Sequence, residues 1–320
     1  MCVPKVSLAG DGLSTVPTLV LGGRTLACEP GDMHDGVAEL LAAQSGVVTY
    51  QQLLSVVSRR MLQELVECGA LQRVWRGVYS REIPDCRLRL CGLDLLVGRL
   101  VVPCLGTAAQ LYGFDTERSD KIHILQPEHS RLRDQCGLCV HRRSGAPTAL
   151  MAGRHVTAPA WTAIEVCRGL SRPRALATLD AALRSGHCRR SGLESTVRLQ
   201  AGRRGITRVR ELLPQADGRA ESPMESEARL VMLDAGLPIP ELQHEINGWR
   251  VDFAWPDIRL AAEYDSDEWH TGATAMRRDK ARIAGLQRAG WTVVPITVDD
   301  VRRTPAALIS RLSWHLAGAA

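Results

Sequence analysis

The chain has 320 residues, a net charge of +5 and a pI near 8.8, with 45% hydrophobic and 23% charged residues. That length suits two or three domains, and the composition is ordinary for a globular protein, which excludes collagen, a coiled coil and wholesale disorder. No stretch approaches the ~20 uninterrupted apolar residues of a membrane span. The best candidate, Leu88 to Ala109, is broken by Arg89, Asp94 and Arg99.

Aromatic residues make up only 4% of the chain, so each core must rest mainly on Leu, Val, Ile and Ala. Lysine occurs three times, leaving 37 arginines among the 40 basic residues. That excess reflects either arginine-rich coding or phosphate recognition, since guanidinium binds phosphate oxygens bidentately. Net charge alone does not choose between them. Ten cysteines are too sparse for a disulfide scaffold, and the first 30 residues lack the pattern of a secretory signal, so a cytoplasmic location is expected. Cys136 and Cys139 form a CxxC with His141 two residues on, which invites zinc. No second tight pair follows to complete four ligands, and ordinary strand and turn cysteines are the plainer reading.

Residues 1–35 show no periodicity and read as a flexible leader, and Met33 stands just before the first regular pattern, compatible with an upstream extension. Val37, Leu40 and Leu41 then line a first helix. Thr49 caps a second bearing Leu53, Leu54 and Val57, and Ser58 caps a third with Leu62, Leu65 and Val66 at helical spacing, closed by Gly69. Leu71 to Tyr79 reads as two short strands around Arg76-Gly77. Three small helices followed by a hairpin are the layout of a winged helix-turn-helix, expected over residues 36–82.

The run GVVTYQQLLSVVSRRMLQELVECGALQRVWRGVYS, Gly46 to Ser80, resembles the N-terminal winged helix of AbiEi-type antitoxins. More loosely, Thr107 to Gly113, Lys121 to Gln126 and Val156 to Gly186 resemble the α/β middle region of actinobacterial proteins of that kind. The resemblance implies DNA binding, with a toxin protein as a candidate partner. The helix after Ser58 would present Arg59, Arg60 and Gln63 to the major groove, with Arg73, Arg76 and Arg81 of the wing on phosphates. Glu64 and Glu67 on the same helix speak for protein contact instead.

An α/β middle domain is expected over 83–213. Strands at Lys121 to Leu125 and Cys139 to His141 alternate with helices at Trp161 to Leu170 and Pro173 to Arg184, the latter with Leu176, Leu179 and Leu183 on one face. Residues 187–210 carry seven arginines and one glutamate, either a solvated face or a second phosphate contact. Residues 214–221 read as a polar linker.

A further domain is expected over 222–320. Ser222-Pro223-Met224-Glu225 is a capping box starting a helix. Leu242 to Ile246, an Asn247-Gly248 turn and Arg250 to Trp255 form a hairpin. Pro256-Asp257 turns the chain into Ile258 to Asp265. Helix Ala273 to Ala289, strand Trp291 to Thr297 and helix Pro305 to Leu316 complete an α-β-β-β-α-β-α order. With Pro256 and Asp257 as the two turn residues, Asp252 falls opposite Ala261 and Glu263 is its diagonal neighbour on the same face. Asp265 lies further along that face, and the preceding helix can add Glu225 or Glu227. Like charges so close oppose each other's ionisation, and a divalent cation on Asp252 and Glu263, Mg²⁺ or Mn²⁺, is the simplest compensation.

Glu225, RVDFAWP with Asp252, AAEYDSDEWH with Glu263, Asp265 and His270, and RRDKARIAGLQRAGWTVVPIT together resemble the PD-(D/E)xK nuclease fold, in its branch related to very-short-patch-repair endonucleases. The resemblance implies metal-dependent phosphodiester hydrolysis, with Asp252 and Glu263 on metal, Glu225 assisting and His270 moving a proton or touching phosphate. The motif's lysine, two residues after Glu263, is Asp265 here. Arg277, Arg278, Lys280 and Arg282 form a phosphate-facing row. The whole reads as an α/β (α+β) DNA-binding protein with an endonuclease-like domain. The alternatives are a non-enzymatic regulator keeping only the nuclease shape, and a toxin-neutralising interaction protein.

Overall fold

Two compact units divide the chain at Arg99/Leu100. The computed structural model describes residues 35–117, 119–128, 130, 132–143, 145–265 and 273–318, the side chains of 273–280 excepted. The expected leader up to residue 34, with its alternative start, lies outside them. The elements mix helices with several small sheets, an α+β arrangement.

The first unit runs α1 (Asp35–Ala43), β1 (Val47–Thr49), α2 (Tyr50–Leu53), α3 (Arg59–Glu67), β2 (Gln72–Trp75), β3 (Val78–Ser80) and α4 (Cys86–Val97). Local chemistry sets the helix starts. Thr49 and Gln52 make a reciprocal capping box on α2, and the Ser58 hydroxyl accepts from the Met61 N–H to open α3. Gly77, at φ 76°, allows the tight turn between β2 and β3. The sheet order is β1-β3-β2, antiparallel throughout, and β1 is a strand the sequence did not announce: three residues are too few to show a period of two. Val37, Leu41, Val48, Leu53, Leu62, Leu65 and Leu71 form the core beneath it.

Helix α4 belongs here, although its residues were expected to open the middle domain at 83. Trp75 Nε1 donates to the Arg89 carbonyl at 2.7 Å. Gly92 brings α4 so near β2 that a Cβ there would stand 2.8 Å from the Trp75 ring.

The second unit begins with α5 (Leu105–Leu111), β4 (Ile122–Leu125), β5 (Leu138–His141), β6 (Thr148–Met151), β7 (Arg154–Thr157), α6 (Pro159–Gly169), α7 (Arg172–Arg184), α8 (Arg190–Leu199) and α9 (Ile206–Leu212). Strands β4 and β5 pair in parallel, and β6 and β7 form a separate antiparallel hairpin. Ile164, Leu176, Leu179, Leu193, Val209 and Leu212 build one helical core.

Residues 214–221, expected as a polar linker, are packed instead. Ala216 and Ala220 are buried, and the Asp217 N–H donates to Asp180 Oδ1 at 2.7 Å. Asp217 and Arg219, two of the polar residues that suggested a linker, pair with each other.

The chain continues with α10 (Pro223–Asp234), β8 (Glu241–Ile246), β9 (Trp249–Trp255), β10 (Leu260–Tyr264), α11 (Ala273–Arg288), β11 (Thr292–Ile296), α12 (Val298–Arg302) and α13 (Pro305–Ala317). Asn247 and Gly248, at φ 50° and 81°, close the β8–β9 hairpin as two-residue turns require. The sheet order is β11-β10-β9-β8, with β10 parallel to β11 across the α11 crossover. Phe253, Trp255, Leu260, Ala262, Val294 and Ile296 share one core with Ala228, Met232, Leu308 and Leu312, while Ala254 and Ala261 share another with Leu286 of α11.

The β9–β10 register differs from the expectation. Pro256–Ile258 form a 3₁₀ turn and Arg259 follows in the left-handed region at φ 53°, so the connection takes four residues rather than two. Trp255 therefore pairs with Leu260, Ala254 with Ala261 and Phe253 with Ala262.

Candidate functional site

Extending that register by one rung sets Asp252 directly across from Glu263, closer than the diagonal relation expected. Successive side chains alternate faces along a strand, so the two acids emerge together on the side of Ala254 and Ala261, towards α11. The Asp252 carboxylate is fixed from two sides: Oδ2 accepts the Tyr264 N–H at 2.8 Å and Oδ1 accepts from Gln243 Nε2 at 3.2 Å. Glu263, buried at 8% exposure, is gripped by both terminal nitrogens of Arg282, with Nη2 at 2.7 Å from Oε2.

Glu225 joins from the first turn of α10. The Ser222 hydroxyl accepts the Glu225 N–H, and the carboxylate Oε2 takes the Glu221 N–H at 2.7 Å and Gln243 Nε2 at 3.0 Å. It therefore acts as a cap and faces the acid site as well. Burial pushes its carboxyl above the usual range and neighbouring Asp252 adds to the rise. Burial likewise raises Asp252, opposed by the bonds from Tyr264 and Gln243 and by the charge of Arg282.

Gln243 was not singled out by the sequence. A polar residue between Leu242 and His244 carries no signature of its own, and only the Asp252 rung gives it meaning.

The other predicted residues are placed differently. Asp265 follows β10 and is exposed, its N–H donating to the Ile296 carbonyl at 2.8 Å. His270 lies outside the described residues. Arg277, Arg278 and Lys280, expected with Arg282 in a phosphate-facing row, lie on α11 where only the backbone is described, while Arg282 is paired with Glu263. Glu227, weighed as a stand-in for Glu225, is engaged elsewhere: Arg174 and Arg302 both hold its carboxylate.

Two facing carboxylates are hard oxygen donors of the kind Mg²⁺ or Mn²⁺ takes. Among the described residues, however, no group of three or more His, Cys, Asp or Glu stands arranged to hold a metal ion. The pair is therefore two carboxylates, with Glu263 already held by Arg282. The CxxC gathers no ligand set among the described residues either. Cys136 is exposed, and His141 Nε2 lies 2.9 Å from His123 Nδ1.

In the first unit, Arg59, Arg60 and Gln63 lie on the exposed face of α3, opposite buried Leu62 and Leu65. Arg60 pairs with Glu64 and Gln63 with Glu67, each one helical turn on. Arg73 and Arg76, on β2 and its turn, are exposed.

Residues 101–215 match the AbiEi antitoxin C-terminal domain. The uncharacterized protein Rv2248 of Mycobacterium tuberculosis (strain ATCC 25618 / H37Rv) is 60% identical over 265 residues, spanning 81% of this chain and 97% of the relative. The uncharacterized protein MT2308 of Mycobacterium tuberculosis (strain CDC 1551 / Oshkosh) gives the same figures. The chain belongs to the family of these mycobacterial proteins. The AbiEi match in this family member covers the α5–α9 region, and it ends before α10 and the acid site. No helix among the described residues is long and apolar enough to cross a membrane.

Proposed function

We propose that this protein binds duplex DNA through its first unit and acts as a regulator of the AbiEi antitoxin kind, with a toxin protein as its partner. The observation that carries the reading is the exposed face of α3, where Arg59, Arg60 and Gln63 stand on a helix followed by the arginine-bearing β2–β3 hairpin. The order α1-β1-α2-α3-β2-β3 with sheet order β1-β3-β2 fits a winged helix-turn-helix, whose third helix enters the major groove and whose hairpin meets phosphate. The pairs Arg60–Glu64 and Gln63–Glu67 do not oppose this. Exposed i,i+4 pairs are worth only about 0.3–0.5 kcal/mol and exchange readily for phosphate or base contacts. The match of residues 101–215 supports the antitoxin part of the reading.

Fluorescence anisotropy of labelled duplex DNA with the full-length protein, repeated across a salt series, tests it. Binding that weakens steeply with salt is the expected result, since phosphate contacts release counterions. Absence of DNA binding at low salt would sink the reading. Stoichiometric co-purification of a second protein tests the partner.

A second reading is favoured by the opposition of Asp252 and Glu263 with Glu225 beside them. On this reading residues 222–320 are a PD-(D/E)xK-like domain that hydrolyses phosphodiester bonds with Mg²⁺ or Mn²⁺. Asp252 and Glu263 would hold the cation, which supplies Lewis acidity towards phosphate and an acidified water. Supercoiled plasmid incubated with protein and Mg²⁺, Mn²⁺ or EDTA, against Asp252→Ala, separates the two readings. Metal-dependent nicking lost in the variant supports hydrolysis; DNA retention without cutting leaves the regulator alone.

A further inference from the structure

We infer that Gln243 is the positioning residue of the acid site, its single carboxamide holding the carboxylates of Glu225 and Asp252 together; the inference rests on the hydrolase reading above. Nε2 lies 3.0 Å from Glu225 Oε2 and 3.2 Å from Asp252 Oδ1, so one NH₂ group reaches two acids from two different elements, α10 and β9. An amide nitrogen has two hydrogens, enough to serve both at once.

The backbone at this position is bent to the task. Gln243 has φ 55°, in the left-handed region, although it lies inside strand β8. A non-glycine residue there is strained, and such residues persist where the surroundings hold them and gather at functional sites. The pairs Leu242–Phe253 and His244–Val251 flank it in unbroken register, so Gln243 stands opposite Asp252 without a bulge.

The choice of an amide also has a consequence for charge. The charged groups around the site are Glu225 on α10, Asp252 on β9, Glu263 on β10 and Arg282 on α11, with the carboxylate of Glu221, just before α10, paired to Arg250. Lysine or arginine at position 243 could also donate to both acids but would cancel negative charge. Glutamine holds Glu225 and Asp252 side by side and leaves the field that attracts a cation intact.

The test uses the full-length protein labelled with ¹⁵N-glutamine, the Gln243 amide signals being those absent from Gln243→Leu. Two hydrogens with slowed solvent exchange are expected, one released in Glu225→Ala and the other in Asp252→Ala. In the plasmid assay, Gln243→Leu is expected to lower kcat on the order of 100-fold with KM little changed, the scale of loss that follows misplaced reacting groups. Gln243→Asn, which tolerates left-handed backbone but is one methylene short, should keep the thermal midpoint and lose the same activity. Amide signals indifferent to both acid substitutions, or an unchanged kcat in both Gln243 variants, overturn the assignment. Wild-type protein that leaves DNA intact with both metals overturns the hydrolase reading itself, and with it the positioning role, even where the amide signals respond.

Discussion

Arg229 of α10 places Nη2 2.5 Å from Oδ2 of Asp180 on α7, and both side chains are withdrawn from water at 5% and 0% exposure. The same arginine donates to the Gln215 carbonyl, and Asp180 also accepts the Asp217 N–H. Leu230, next along α10, lies in the core built by α5 to α9. The region matching the antitoxin domain and the helix that opens the acid site are therefore packed as one body. Removing one partner of a buried pair strands the other's charge, at a cost of about 3–5 kcal/mol. Arg229→Met and Asp180→Leu should each lower the stability by that amount in urea denaturation. The double variant should fall well short of the sum, and strict additivity would show that the two do not interact.

The features legible in the sequence were those fixed by neighbours in the chain. Thr49 and Ser58 as caps, Arg76-Gly77 and Asn247-Gly248 as turns, and the acids Asp252 and Glu263 on one sheet face all follow from spacing and local hydrogen bonding. What stayed hidden depends on distant partners. Three-residue β1 becomes a strand through β3, and α4 joins the first unit through distant partners such as Trp75 and the Ser45 carbonyl. Residues 214–221 look like a linker until Asp180 receives the Asp217 N–H. The register at Asp252 turned on one residue, Arg259, taking a left-handed conformation that arginine rarely adopts.

For the DNA-binding face proposed on the first unit, the charge of each arginine should be readable separately from its shape. Arg73→Ala and Arg76→Ala remove exposed side chains, so the thermal midpoint should hold within about 1–2 °C, as for surface changes of a few tenths of a kcal/mol. Each should reduce the slope of log K against log salt by about 1 if it contacts phosphate. Arg59→Ala should weaken binding in a sequence-dependent way if it reaches base edges. A slope equal to wild type in both hairpin variants would remove the wing from the interface.

On the hydrolase reading, Arg282 and a divalent cation would compete for Glu263. The guanidinium already supplies the positive charge that the buried carboxylate needs, and its bidentate grip is the stronger kind of ion pair. Arg282→Gln should therefore tighten Mn²⁺ binding measured by calorimetry, while lowering the thermal midpoint in metal-free buffer because the buried Glu263 carboxylate loses its bidentate guanidinium. Added Mn²⁺ should restore part of that midpoint, as any ligand selective for the native state does. Unchanged or weaker Mn²⁺ binding would show that Glu263 is a structural anchor for α11 and not a cation ligand.

Glu227 gives the molecule a predictable weakness in acid. Its side chain on α10 is buried, which alone would raise its pKa, but hydrogen bonds from Arg302 and Arg174 outweigh burial and hold it below the usual carboxylate range. A carboxyl whose pKa is lower in the folded than in the unfolded chain stabilises the fold fully above its unfolded value, about 4.3 for glutamate. That contribution is lost as pH falls from there through the depressed folded value. Glu227→Gln cannot ionise, so the difference in thermal midpoint between it and wild type should be large and constant above about pH 5.5 and shrink as pH drops below about 4.3. The same substitution leaves Arg174 bonded to Glu117 and the Thr116 carbonyl, so the loss at neutral pH should fall mainly on the hold over α12 through Arg302. A midpoint difference independent of pH between 3 and 7 would mean that the Glu227 carboxylate charge contributes nothing to the fold.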